Sequence, residues 1–362
     1  MAKFFFCSAL CSLLLLFFLS ADSLFVKVAF LFSIVFFLLF SLARKSRFEA
    51  RDLVILPLVF FFMIMVVPSR LYSPSFQGSY FVVLDVLALC VAPFLVSELR
   101  YYYIVRRFYF VFSFFVALFL VLDFIDLYDF KGAIFGGASE NYTTALYLLL
   151  ALLLIGLEFK HFNLVVSSYL IPVFLVSLYF ESRFSVLISL VGIFLISVLP
   201  NSERKGVWEY IFIFLSLFSM IVLLVVVFGG WGCDYFPVIC NDPRIYIWND
   251  FFSNVSLGSY LLGVSFESCC EVISGDFKNN PHNSIIRSIA FYGLGAVLLL
   301  PLYLICFYTF LFISGSRLYS VLIILWLFRG WSDSIIFPYY FDFLFFPLII
   351  LMFQRLMRRD ST

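Results

Sequence analysis

Three side chains define the chemistry open to this chain. Arg183 lies in Glu181-Ser182-Arg183, between two apolar runs. Arg244 lies in Asp242-Pro243-Arg244, with Trp248 following. His282 lies in Pro281-His282-Asn283, directly before another apolar run. A guanidinium binds phosphate through two parallel, charge-assisted hydrogen bonds. A histidine exchanges a proton near neutral pH. Two arginines and a histidine on one membrane face can therefore hold a pyrophosphate whose lipid tail stays in the bilayer, and can move a proton beside it. Each residue also has a plainer reading. An arginine at a helix end commonly anchors by snorkelling, and a lone loop histidine is commonly just solvated. The set, rather than any one member, carries the functional reading.

His282 is one of 2 histidines, the other being His161. Asn283 and Ser284 after it are cap residues, so they place it at a helix start, where backbone N–H groups favour anions. Glu181, Asp250, Arg287 and Asp333 are second-rank candidates for orienting these groups or contacting sugar. Trp231, Tyr246 and Trp248 are candidates for stacking on sugar faces, although interfacial anchoring suits each as well.

The elements that must position these residues are membrane helices. The chain has 362 residues, 64% hydrophobic and 12% charged, including 53 phenylalanines, with a mean hydropathy of +1.11. A soluble domain carries roughly 25% charged residues. A chain this apolar needs lipid as solvent, and lipid permits only helices or closed barrels. Its apolar runs are continuous rather than alternating, which selects helices. The fold class is thus all-α, a single polytopic membrane domain over residues 1–362. The phenylalanines read as lipid-facing bulk. The N-terminal run resembles a signal peptide, but a second run follows at once, which favours a retained first helix.

About twelve spans are expected, near 4–20, 24–43, 53–68, 79–97, 103–123, 142–158, 163–180, 184–200, 210–228, 284–312, 318–328 and 334–353. With the N-terminus inside, fifteen of the 23 Lys and Arg residues fall on the inner side and eight on the outer. That bias obeys the positive-inside rule. It places both termini in the cytoplasm and one large loop, 229–283, on the periplasmic or extracellular side. Cys233, Cys240, Cys269 and Cys270 lie in that loop, where one disulfide is expected between the first two and the last two; spacing alone leaves the pairing open. Cys7, Cys11, Cys90 and Cys306 read as small hydrophobes. The spans hold almost no charge at mid-depth, Asp85 and Asp342 being the main exceptions, and no internal repeat is visible. Both observations count against an ion-coupled transporter. A net charge of +1 suggests no nucleic-acid partner. No zinc spacing, Walker loop or dinucleotide fingerprint appears, so no metal or cofactor is implied.

Five stretches together resemble the bacterial O-antigen polymerase and O-antigen ligase family. They are Ile134-Phe135-Gly136-Gly137 with Asn141-Tyr142, then Glu181-Ser182-Arg183, then Arg244 with Trp248 and Leu262-Gly263-Val264. His282-Asn283-Ser284 with Gly293-Leu294-Gly295 follows, and last Ser332-Asp333-Ser334. The resemblance covers roughly residues 130–345 and rests on order, spacing and common sidedness. It implies a glycosyltransferase of the bacterial inner membrane that uses an undecaprenyl-pyrophosphate-linked glycan donor and a glycan acceptor at the periplasmic face. Arg183 and Arg244 would hold the pyrophosphate, and His282 would activate or position the acceptor hydroxyl. A chain-length regulator is a partner implied by the family alone. A polymerase joins lipid-linked repeat units; a ligase moves the glycan to lipid A-core. The compact loop and short chain favour polymerase. The ligase is the first alternative, and a polysaccharide flippase, which predicts charges lining a path through the spans, is the second.

Overall fold

The computed structural model describes residues 1–18, 23–44, 59–60, 62–64, 66–67, 71, 76–125, 141–199, 243–277, 279–293, 299–336 and 339–359. The expected span at 210–228, most of that at 53–68, the Gly-rich stretch 134–137, Trp231, Cys233 and Cys240 lie outside the described residues.

Every regular element among the described residues is helical. The first five are α1 (Ala2–Phe18), α2 (Leu24–Arg44), α3 (Phe76–Ser97), α4 (Leu99–Phe124) and α5 (Asn141–Phe162). After α5 come α6 (Leu170–Tyr179), α7 (Arg183–Val198), α8 (Pro243–Asn254), α9 (Leu257–Leu262), α10 (Phe266–Cys269) and α11 (Glu271–Ser274). The chain closes with α12 (Ser284–Tyr292), α13 (Leu299–Phe312), α14 (Arg317–Trp331) and α15 (Asp342–Arg359). Four of these are long and apolar enough to cross a bilayer, over Leu24–Ala43, Ser79–Ser97, Leu99–Phe124 and Asn141–Phe162. The protein is a helical membrane protein, but twelve full-length spans are not what the described residues contain. At 1.5 Å per residue a span needs about 20 residues, and α6, α7, α13 and α14 are shorter.

The bundle is built around α5. In its apolar window 94% of residues are buried, against 22% in α4. A helix that is apolar all round belongs in a bundle centre, and α4, α6, α7, α14 and α15 all pack on α5. The outer helices turn Phe110, Phe114, Phe115 and Leu175 outward, where lipid costs them nothing.

Two expected elements are corrected by the structure. The continuous run 284–312 is not one span: α12 ends at Tyr292, and Gly293 takes φ +51. A Cβ there would lie 2.4 Å from the Leu261 carbonyl oxygen. Only glycine allows this turn and this approach. The stretch 229–283 is also not simply a loop. Its described part folds into α8–α11, whose Ile247, Phe251, Phe266, Cys270 and Ile273 form a small second core against Ile286 and Ala290 of α12. The Val264 N–H donates to the Ala290 carbonyl (2.9 Å), fixing this cap on the helix. Cys269 bonds to its neighbour Cys270, so neither pairs with Cys233 or Cys240, contrary to the spacing-based expectation.

Gly293→Ala should lower stability by at least the about 1–3 kcal/mol typical of a strained backbone, read as a fall in melting temperature of the detergent-purified protein. Wild-type melting in that variant would show that the close approach of cap and helix is not rigid.

Candidate functional site

The site forms where the N-termini of α5, α7 and α12 meet the C-terminus of α14. Gly330 permits the meeting. A Cβ at that position would press 2.6 Å from Ile336 Cδ1 and 3.1 Å from Ser284 Oγ. The segment 332–336 leaves α14 without helical structure, so its backbone groups need partners. Ser284 supplies them. Its hydroxyl donates to the Asp333 carbonyl (2.7 Å) and accepts from the N–H groups of Ile335 and Ile336, both at 3.0 Å. Asn283 works on both sides of the junction. Its Oδ1 caps α12 by accepting from Ile285 N (2.8 Å) and Ile286 N (3.1 Å), while its Nδ2 donates to the Trp331 carbonyl (3.1 Å). Asn283 N donates to Ser334 Oγ (3.2 Å).

These bonds fix the residue just before the cap. His282 takes φ +46, in the left-handed region, where a non-glycine residue costs about 1–3 kcal/mol unless its surroundings hold it. Its N–H donates to Asn280 Oδ1 (3.1 Å), and Phe277 meets its ring edge-on at 5.8 Å. His282 Nδ1 lies 3.5 Å from Asp333 Oδ1, with the histidine side chain 25% exposed and the aspartate 1%. The pair is close without being aligned as a full hydrogen bond.

Asp333 is held from its other oxygen by Arg329, at 3.4 Å. This arginine is fully enclosed. Its Nε donates to Ser185 Oγ (2.9 Å), Nη1 to Ser332 Oγ (2.7 Å) and Nη2 to the Asn141 carbonyl (3.1 Å). The guanidinium therefore ties α14 to α7 and to the start of α5. Thr144, Ser182 and Ser185 complete a hydroxyl network there, with Ser182 donating to Asn141 Oδ1 (2.9 Å). Burial by itself pushes the Asp333 carboxyl up. Contact with His282 and the charges of Arg329, His282 and Arg244 outweigh it, so the group titrates below the ordinary carboxylate range. Arg244, half-buried at the start of α8, is thus close enough for its charge to act on both Asp333 and Arg329.

The sequence-predicted residues divide accordingly. His282, Arg244 and Asp333 come together. Arg183 begins α7 as an exposed side chain, next to the buried Ser182 and two residues from Ser185, so it stands at the rim of the same network. Glu181 is exposed with φ +54 and makes the turn from α6 to α7. Asp250 uses its carboxylate within the cap. Its Oδ2 accepts from Val272 N (3.1 Å) and Ile273 N (3.2 Å), fastening α11 inside the cap. Arg287 is buried, 5.2 Å from the ring centroids of Phe81, Phe291 and Tyr339, a cation–π enclosure rather than an open sugar contact. Asp333 is likewise buried, 1% exposed, between His282 and Arg329. Sequence reasoning missed Arg329, Ser185 and the Tyr142–Tyr339 stack, whose rings lie 5.4 Å apart at 4°, and named Asn141 only as part of a motif. The available signals were an Arg four residues before Asp333 and serines at 182, 185 and 189 along one face of an oily helix.

Arg329→Ala leaves Asp333 buried without its main counter-charge, which should cost about 3–5 kcal/mol. Melting unchanged from wild type would contradict this. Because the folded-state carboxyl of Asp333 titrates below its unfolded value, its contribution is present above the unfolded pKa of about 3.9 and is lost as pH falls through the lower folded value. Asp333→Asn should therefore flatten the acid limb of a plot of stability against pH. Comparison with family models, with curated proteins and with solved structures finds no match for this chain.

Proposed function

We propose that the chain is an O-antigen polymerase, joining undecaprenyl-pyrophosphate-linked repeat units at the periplasmic face of the bacterial inner membrane. The observation that carries the reading is the contact of half-buried His282 with the ionised, buried Asp333, beside Arg244. A carboxylate beside one ring nitrogen favours the proton on that nitrogen and leaves the other to act as a general base. With Nδ1 at Asp333, Nε2 is the nitrogen that meets an acceptor hydroxyl.

In this mechanism Arg244 and Arg183 hold the donor pyrophosphate through bidentate bonds. The acceptor hydroxyl attacks the anomeric carbon of the donor sugar. Its proton passes to His282, the glycosidic bond forms, and the bond to pyrophosphate breaks, leaving the charge on the lipid pyrophosphate under the arginines. One well-aimed donor to such developing charge is worth about 2.7–4 kcal/mol in other enzymes, and general base catalysis about 10²–10⁴-fold. The buried Arg329–Asp333 pair touches no substrate and keeps the base in place. Because a ligase uses the same donor, these residues serve that alternative equally; the compact cap favours the polymerase.

Arg183→Ala, Arg244→Ala and His282→Ala should each abolish long-chain glycan on a lipopolysaccharide gel while the protein still inserts. Arg183→Lys should fail too, since an ammonium lacks the fork. Normal chain length in two of the three alanine variants would sink the assignment. A topology reporter fused after Val255 should read outside the cytoplasm; a cytoplasmic signal would put the cap on the wrong face for a lipid-linked glycan.

A further inference from the structure

The described residues hold a second buried polar cluster, not used by the mechanism above. Asp85 sits in the spanning stretch of α3, and Asp342 is the first residue of α15; both are 0% exposed. Asp85 Oδ2 accepts from the Tyr292 hydroxyl at the end of α12. Asp342 Oδ2 accepts from Tyr339 N (2.7 Å). One turn before Asp85, Phe81 packs on Tyr339 and Tyr340 with ring centroids 6.4 and 5.3 Å apart, which brings the start of α15 beside Asp85. The two carboxyls lie within hydrogen-bonding reach, and Arg287, 5.2 Å from the Phe81 ring, is near enough for its charge to act there. Asp85 Oδ1 is fully enclosed and receives no hydrogen bond from any donor. Among the described residues, Arg287 is the cation whose charge acts on Asp85. Tyr80 of α3 reaches the Lys27 backbone carbonyl of α2 (3.2 Å), Arg100 of α4 pairs with Glu98 at the opposite end of α3, and the segment before α15 brings the rings of Tyr339 and Tyr340.

Two ionised carboxylates in contact beside one guanidinium would leave an excess negative charge in a dry site. Removing such a charge from water costs several kcal/mol per ion. Two carboxyl groups at such range stay together cheaply only when something positive lies between them.

We infer that Asp85 and Asp342 share one proton, forming a carboxyl–carboxylate latch that joins α3 to α15 and, through Tyr292, to α12. The proton turns one oxygen into a donor, so the orphaned Oδ1 of Asp85 gains a partner and the cluster carries one negative charge against Arg287. The latch is a structural device independent of the transfer reaction, and its test needs no glycan.

The test is infrared spectroscopy of the whole protein in lipid, with and without ¹³C-labelled aspartate. Wild type at neutral pH should show a protonated-carboxyl band that shifts with the aspartate label. The band should vanish in Asp85→Asn and also in Asp342→Asn, since an amide donates to the remaining carboxylate in the proton's place; either variant suffices if the other fails to fold. No label-sensitive band in wild type would overturn the proposal without any variant. So would a band surviving in either asparagine variant. A wild-type melting temperature that rises when sodium replaces choline as the bulk cation would put a metal cation, not a proton, between the carboxyls, and would overturn it as well.

Discussion

The candidate site depends on one buried charge. Asp333 is 1% exposed, and nothing in a helical membrane bundle makes such a carboxylate affordable except opposite charge and hydrogen bonds at close range. Arg329 provides both on one oxygen, and His282 Nδ1 lies 3.5 Å from the other. Because Arg329 also reaches Ser185, Ser332 and the Asn141 carbonyl, satisfying this one carboxylate brings four chain segments to one point. The catalytic geometry proposed for His282 is a by-product of that requirement. A histidine held against an anion by a rigid backbone needs no substrate to be oriented.

The rest of the fold serves the same junction. The bundle centre, α5, begins at Asn141, so the most enclosed helix starts at the site itself. The cap of α8–α11 rests on α12 and brings Arg244 close enough for its charge to act on Asp333 and Arg329. Glycine is used where two backbones must nearly touch, at Gly330 under the site and at Gly293 where cap and helix meet. The aromatic enclosure of Arg287 and the Asp85–Tyr292 contact hold the far end of α12. The helix behind His282 is thereby fixed at both ends.

Much of this was legible in the residues, and the failures are instructive. Hydropathy identified a helical membrane protein because lipid allows this composition only helices or closed barrels, and continuous apolar runs select the helices. The cap pair Asn283-Ser284 marked the start of α12 because its chemistry is local. The break at Gly293 was not legible, since an apolar run looks the same whether or not a distant carbonyl, that of Leu261, crowds it. Asp250 and Arg287 were ranked by charge alone, and charge does not say whether a side chain faces a substrate or its own backbone. Arg329 was not singled out from the other outer-side cations, because its partners Ser185 and Asn141 lie 144 and 188 residues away in sequence. Long-range partners separate a snorkelling arginine from a buried organiser, and one sequence does not display them.

The function proposed for this junction is tested most directly by the lipopolysaccharide of a strain lacking the gene, separated on a gel. The account predicts core carrying a single repeat unit, with no ladder, restored by the wild-type chain. An unchanged ladder would contradict it. Bare core with polymer accumulating on undecaprenyl pyrophosphate would also contradict the polymerase assignment and make the chain a ligase.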